Sequence, residues 1–373
     1  MPRPGFAGRR KLAAWADTRQ AQGELPRLVR RLILETSPGL VELGMPAGDG
    51  VAAGDWDGTS RAAGGNAWVP DGLSLWELSV DSSPGSKANS DYQKREDTPD
   101  GSPIGQCSYV QLILRPWTKR AQWAKEQRAE GRWRDVRAYG LDDIEAWLES
   151  APVTWAWLSE ELGLTPYGMR TASSWWDSWA SLTSPALTPG VVVAGREGLV
   201  KSLLERVGTP GIVTVGGASL DETCAFIAGT AVQADAEGDG RPLARVAFVN
   251  ELSTWRQLLD SPLPLVLVPL NPEFAREVPG SSPHAVLVPV AGSRIADLNL
   301  PPFDASAVAD ALKEVGIDEE RKAERAGRLA RRSLTAMRRH LAANRALHRP
   351  SWAESPVQRR VKAALLAGSW DHQ

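Results

Sequence analysis

Five short apolar runs constrain this chain more than any other feature: "GVVVAG" (190–195), "GIVTVGG" (211–217), "ARVAFVN" (244–250), "LPLVLVPL" (263–270) and "HAVLVPV" (284–290). They are too continuous for strands that face water on one side, and helical stretches such as "REGLVKSLLERV" and "LDETCAFIAGTAVQA" separate them. A parallel α/β sheet covered on both faces satisfies that pattern. The first half of the chain reads differently. "ELPRLVRRLILET" (24–36) puts Leu25, Leu28, Val29, Leu32 and Ile33 on one helical face and Arg27, Arg30 and Arg31 on the other. "GVAAGDWDGTS" and "NAWVPDGLSLWELSV" follow as short strands broken by Gly, Asn and Pro-Asp-Gly turns, a β-meander. "KANSDYQKR" reads as a short helix and "SYVQLILRPW" as a strand. "WRDVRAYGLDDIEAWLES" reads as a strand and a helix, with Asp142 as N-cap and Glu145 in the capping-box position.

At 373 residues the chain exceeds one ordinary core, and the predicted division is 1–164, a linker at 165–190, an α/β domain at 191–303 and a basic helical lid and tail at 304–373. The linker is assigned from its Ser, Thr, Pro and Trp content and its lack of a sustained period. Trp175, Trp176 and Trp179 in it are expected to pack the domains together, with an exposed partner site as the alternative. The last stretch starts an amphipathic helix without an obvious cap, so a longer protein is expected. No run is long and apolar enough to span a bilayer and the N-terminus lacks a secretory segment, so no membrane partner and a cytoplasmic location are expected. Cys107 and Cys224 read as buried thiols. All four histidines lie in the second half, which leaves the first half without material for a histidine-based site.

What the first half does hold is carboxylates. Metal-dependent phosphodiester hydrolysis needs acids converging on one sheet face to hold Mg²⁺, with a lysine nearby. Glu77 and Ser79 share one face of the "WELS" strand, and Asp57 lies 20 residues upstream, far enough for a turn to bring the two acids onto neighbouring strands. Asp71, beside a glycine, reads as a turn residue. From Arg115 to Arg137 eight Lys and Arg stand against three Asp and Glu, interleaved with Trp117, Trp123 and Trp133. That stretch suits either a phosphate-contacting surface or a core with a solvated face. A net charge of −2 offers nucleic acid no general attraction, so any such binding would be local.

These residues and the order of elements resemble the PD-(D/E)xK restriction-endonuclease-like fold over about residues 12–160, particularly the nuclease modules of bacterial anti-phage defence proteins. The resemblance implies an α/β fold, DNA as partner, Mg²⁺ (with Mn²⁺ able to substitute) as cofactor, and Asp57 and Glu77 as metal ligands. The family's lysine, two residues after the glutamate, is replaced by Ser79. Lys87, with Lys94 as the lesser choice, is expected to supply the charge from the next helix, and Glu24 to be an additional ligand. Such nucleases need two active sites to cut both strands, so self-association or a partner defence protein is expected. Residues 190–345 resemble a STAND or AAA-like P-loop ATPase in layout, but "GGASLDE" has no phosphate-loop lysine and places two acids where phosphate would sit. ATP is therefore not expected as a cofactor, and Ser219 and Asp221 read as caps of the following helix. Two functional readings result: a metal-dependent DNA endonuclease with a degenerate regulatory domain, or a catalytically inactive nucleic-acid-binding or assembly protein.

Overall fold

The computed structural model describes residues 4–46, 56–95, 98, 101–292 and 295–342. The chain is mixed α/β with two sheets and divides into two compact units, Met1–Arg170 with Glu251–Leu265, and Thr171–Asn250 with Val266–Gln373. Among the described residues no helix is long and apolar enough to cross a membrane.

The first unit opens with helices α1 (Arg9–Ala16) and α2 (Arg19–Thr36). The Thr18 hydroxyl caps α2 by accepting the Ala21 N–H at 3.2 Å, and the apolar stripe read from the sequence is buried. Strands β1 (Leu40–Gly44), β2 (Gly58–Ala62) and β3 (Gly72–Ser79) form the expected antiparallel meander. Helix α3 (Pro84–Lys94) then crosses to β4 (Ser108–Ile113), and α4 (Arg120–Ala129) to β5 (Asp135–Tyr139), each new strand parallel to the last. The sheet order is β1-β2-β3-β4-β5. Helices α5 (Leu141–Ser150) and α6 (Pro152–Glu161) close the unit.

One core cluster joins Leu75, Tyr109 and Val136 of the sheet to Ala88 and Tyr92 of α3 and Trp123 of α4. Elsewhere in the unit, Trp76 stacks on Trp147 at 6.3 Å and the Trp147 indole donates to Thr36 Oγ1 at 2.9 Å. Each fully buried side chain of this size contributes about 2–3 kcal/mol by leaving water. Glu35 is buried at the end of α2 because it caps α6, its two oxygens accepting Val153 N–H at 2.9 Å and Thr154 N–H at 2.7 Å.

Several local expectations are corrected. Helix α5 is capped by Gly140, whose N–H donates to Asp143 at 2.7 Å; Asp142 pairs with Arg9 and Glu145 accepts the Arg9 N–H. A carboxylate reaching back three residues satisfies the helix start from either frame, and sequence alone does not choose between them. Of the two readings left open for residues 115–137, the core reading holds for Trp117, Trp123 and Trp133, and among the arginines around them Arg115 pairs with Asp17, Arg120 with Asp143, and Arg128 and Arg137 with Asp135.

The stretch expected as a linker is ordered. It holds a short strand β6 (Met169–Thr171), helix α7 (Ala172–Ala180) and the start of α8 (Pro189–Val193). Trp176 and Trp179 belong to the second unit's core, and Trp175 stacks on Phe248 at 5.2 Å. "GVVVAG" is therefore the helix α8, not a strand, because Pro189 at its first position favours a helical start and the three valines are buried by packing whatever their period. The remaining runs become α9 (Glu197–Val207), β7 (Gly211–Gly217), α10 (Leu220–Ala236), α11 (Arg241–Arg245), β8 (Val246–Val249), α12 (Leu252–Leu259, grouped with the first unit), β9 (Val266–Pro269), β10 (Ala285–Ala291) and β11 (Leu298–Asn299). Strands β11, β7, β10, β9 and β8 lie side by side in that order and all parallel. Helices α13 (Ala305–Glu314), α14 (Glu320–Arg332) and α15 (Leu334–His340) follow; the expected final helix lies outside the described residues.

Candidate active site

Register builds the site. Gly58 of β2 pairs with Trp76 of β3, so continuing the antiparallel ladder by one residue sets Asp57 opposite Glu77. Glu77 in turn is paired with Gln111 on β4. Leu78 N–H donates to Asp57 Oδ2 at 2.7 Å and holds that carboxylate at the strand end. Helix α3 turns Ala88 and Tyr92 into the core, which leaves Lys87, Asp91 and Lys94, at i, i+4 and i+7, on its other face. Those three side chains, with Asp57, Glu77, Ser79 and Arg95, line a cleft of about 560 Å³ whose far wall is Gln22, Leu25 and Pro26 of α2.

Charge inside the cleft is closely balanced. Glu77 is only 4% exposed, and its pKa rises to about 7 because burial and the adjacent Asp57 carboxylate outweigh the attraction of Arg95, which donates directly to Glu77 Oε1. Asp57 is also shifted upward, mainly by burial. Burial pulls Lys87 down, but its 2.7 Å hydrogen bond to Asp91 and the neighbouring acids more than reverse this, so the ammonium is held protonated. Arg95 lies 4.6 Å over the ring of Trp56. Deeper, Tyr109 donates to Gln111 Oε1 at 2.7 Å, while Gln111 Nε2 is buried without a partner among the described residues.

Of the residues singled out from the sequence, Asp57, Glu77 and Lys87 line one cleft, as does Lys94. Glu24 does not; it pairs with Arg27 at 3.5 Å, one helix position away from the wall formed by Gln22, Leu25 and Pro26. Asp71 accepts the Gly64 N–H at 2.7 Å, a turn role. Asp91, Arg95 and Gln111 were not foreseen. The signals were present: Asp91 stands four residues after Lys87, and Gln111 is a polar residue inside an otherwise apolar strand.

Among the described residues no three His, Cys, Asp or Glu side chains form a ready-made metal cluster. Two carboxylates still fit Mg²⁺, which binds through one or two carboxylates and keeps several waters. The upward-shifted, buried Asp57–Glu77 pair is the donor set that such a cation would stabilise in its ionised form.

In the second unit the turn after β7 is satisfied internally. Glu222 accepts the Ala218 N–H at 3.3 Å and pairs with buried Arg196, while Asp221 accepts from Arg338 at 2.7 Å and from the Trp179 indole at 3.0 Å. Ser219 caps α10 as expected, by accepting the Glu222 N–H at 3.1 Å; Asp221 serves the Arg338 and Trp179 contacts instead.

No protein-family model, curated protein or solved structure matches this chain.

Proposed function

We propose that the first unit is a metal-dependent DNA endonuclease module, of the kind found in bacterial anti-phage defence proteins, coupled to a regulatory second unit that has the layout of a P-loop domain without its phosphate chemistry. One observation carries this reading: Asp57, held beside β3 by the Leu78 N–H, Glu77 of β3 and Lys87 of α3 line one cleft. Asp57 and Glu77 are the residues to hold Mg²⁺ or Mn²⁺, which when bound polarises the scissile phosphate and activates water. Lys87, kept protonated by Asp91, is suited to neutralise charge developing on the phosphate and not to accept a proton. Gln22, from α2, and Ser79 supply neutral polar groups along the cleft wall.

The test is incubation of the full chain with supercoiled and linear DNA in Mg²⁺, Mn²⁺ or EDTA, beside Glu77→Ala and Lys87→Ala. Metal-dependent cutting by the parent chain, lost in both variants, is the expected result. DNA retention without cutting in any metal would favour the second reading, an inactive nucleic-acid-binding or assembly protein. That reading draws its support from Ser79 at the family's lysine position and from the guanidinium already seated on Glu77.

A further inference from the structure

We infer that Arg95 controls cation loading of this cleft: its guanidinium occupies the place of a divalent cation on Glu77 and must withdraw before a metal can bind there. The inference rests on the reading of Asp57 and Glu77 as the metal site and deepens it. Glu77 is buried, faces a second carboxylate, and among the described residues takes its hydrogen bond from Arg95. A carboxylate so placed needs a positive partner, and Arg95 is the one in contact.

Three properties make Arg95 a competitor and not a helper. A guanidinium does not lose its proton in proteins, so it cannot yield to a metal by becoming neutral and has to move. Both guanidinium contacts fall on Glu77 Oε1, so a metal taking the other oxygen would sit close beside a fixed positive charge, and the two cations repel. Arg95 also has somewhere to go. It stands at the C-cap of α3, where regular helix ends, with about a fifth of its side chain open to solvent, so it can swing outward; in the seated position its guanidinium also lies 4.6 Å over the ring of Trp56, a contact that withdrawal would change. Lys87 is different, because Asp91 is its own counter-charge and leaves it in place when Glu77 changes partner.

Competition lowers the apparent affinity for metal by the fraction of molecules in which Glu77 is free. If Arg95 is seated on Glu77 about nine-tenths of the time, its removal tightens binding about tenfold. The experiment is calorimetric titration of the full chain with Mg²⁺ or Ca²⁺ alone, without DNA, at about pH 8.5, for the parent chain, Arg95→Gln, Arg95→Lys and Glu77→Gln. Melting curves check that each variant is folded. Binding about tenfold tighter in Arg95→Gln, lost in Glu77→Gln, is the expected result. Arg95→Lys should fall between parent and Arg95→Gln, since an ammonium lacks the bidentate fork. A second readout is Trp56: titration of the parent chain should change its fluorescence as the guanidinium shifts, and Trp56→Phe should remove that change. Equal or weaker binding in Arg95→Gln would overturn the role of Arg95 while leaving the metal site standing. No binding in any variant would overturn both.

Discussion

Glu77 is the residue on which stability and chemistry conflict. Its folded pKa of about 7 against an ordinary 4.5 means that the folded chain keeps a proton which the unfolded chain releases across that window. The stabilisation is complete below about pH 4.5, declines as pH rises, and is gone above about pH 7, a total on the order of 3 kcal/mol. Glu77→Gln, neutral at every pH and still able to accept from Arg95, should flatten that dependence. Urea unfolding in EDTA between pH 5 and 9 should therefore show the variant gaining on the parent as pH rises; parallel curves would contradict the assignment. At this scale Asp57 and Glu77 were legible from acids spaced to meet on neighbouring strands, whereas Lys87 was singled out only through the resemblance to the PD-(D/E)xK pattern. Arg95 was not, because a charged residue just beyond a short polar helix looks the same in sequence whether it faces water or a buried carboxylate.

At the level of elements, the proposed reading has β3 and α3 divide between them what the PD-(D/E)xK pattern would place on one strand. Ser79 follows Glu77 by two and lines the same cleft, while the lysine comes from α3. Lysine at either origin should therefore serve. Lys87→Ala is expected to lower DNA cutting by at least about 10²-fold, the usual effect of removing one charge-stabilising group. Adding Ser79→Lys to that variant should restore part of the loss, and plasmid-nicking rates measure both. A double variant no better than Lys87→Ala would show that only the α3 position presents the charge correctly. The meander and α3 follow from periodicity and turn residues. "GVVVAG" does not, since a run with three successive buried valines has no period to read, and Pro189 together with packing against α10 settles it as helix.

The whole molecule shows what linear reading misses. The division predicted near residue 164 is a contiguous cut, yet Glu251–Leu265 groups with the first unit. Thr254 Oγ1 donates to the Tyr167 carbonyl at 3.2 Å, and a Cβ on Gly168, where φ is +76°, would stand 2.3 Å from that same hydroxyl. A chain ended at Arg170 lacks this segment, and its melting temperature should fall below that of a version carrying 251–265 on a Gly/Ser tether. Equal melting temperatures would mean that the segment adds nothing to the first unit. By itself the sequence determined the α/β class, the antiparallel meander and the mostly parallel second sheet, because each follows from local periodicity and turn residues. Only the tertiary structure decided that Asp57 faces Glu77, that Arg95 sits on Glu77, that Glu24 stays outside, and that residues 251–265 return to the first unit. Those are matters of register and long-range packing, set by how strands align and faces are covered, and no window of sequence contains them.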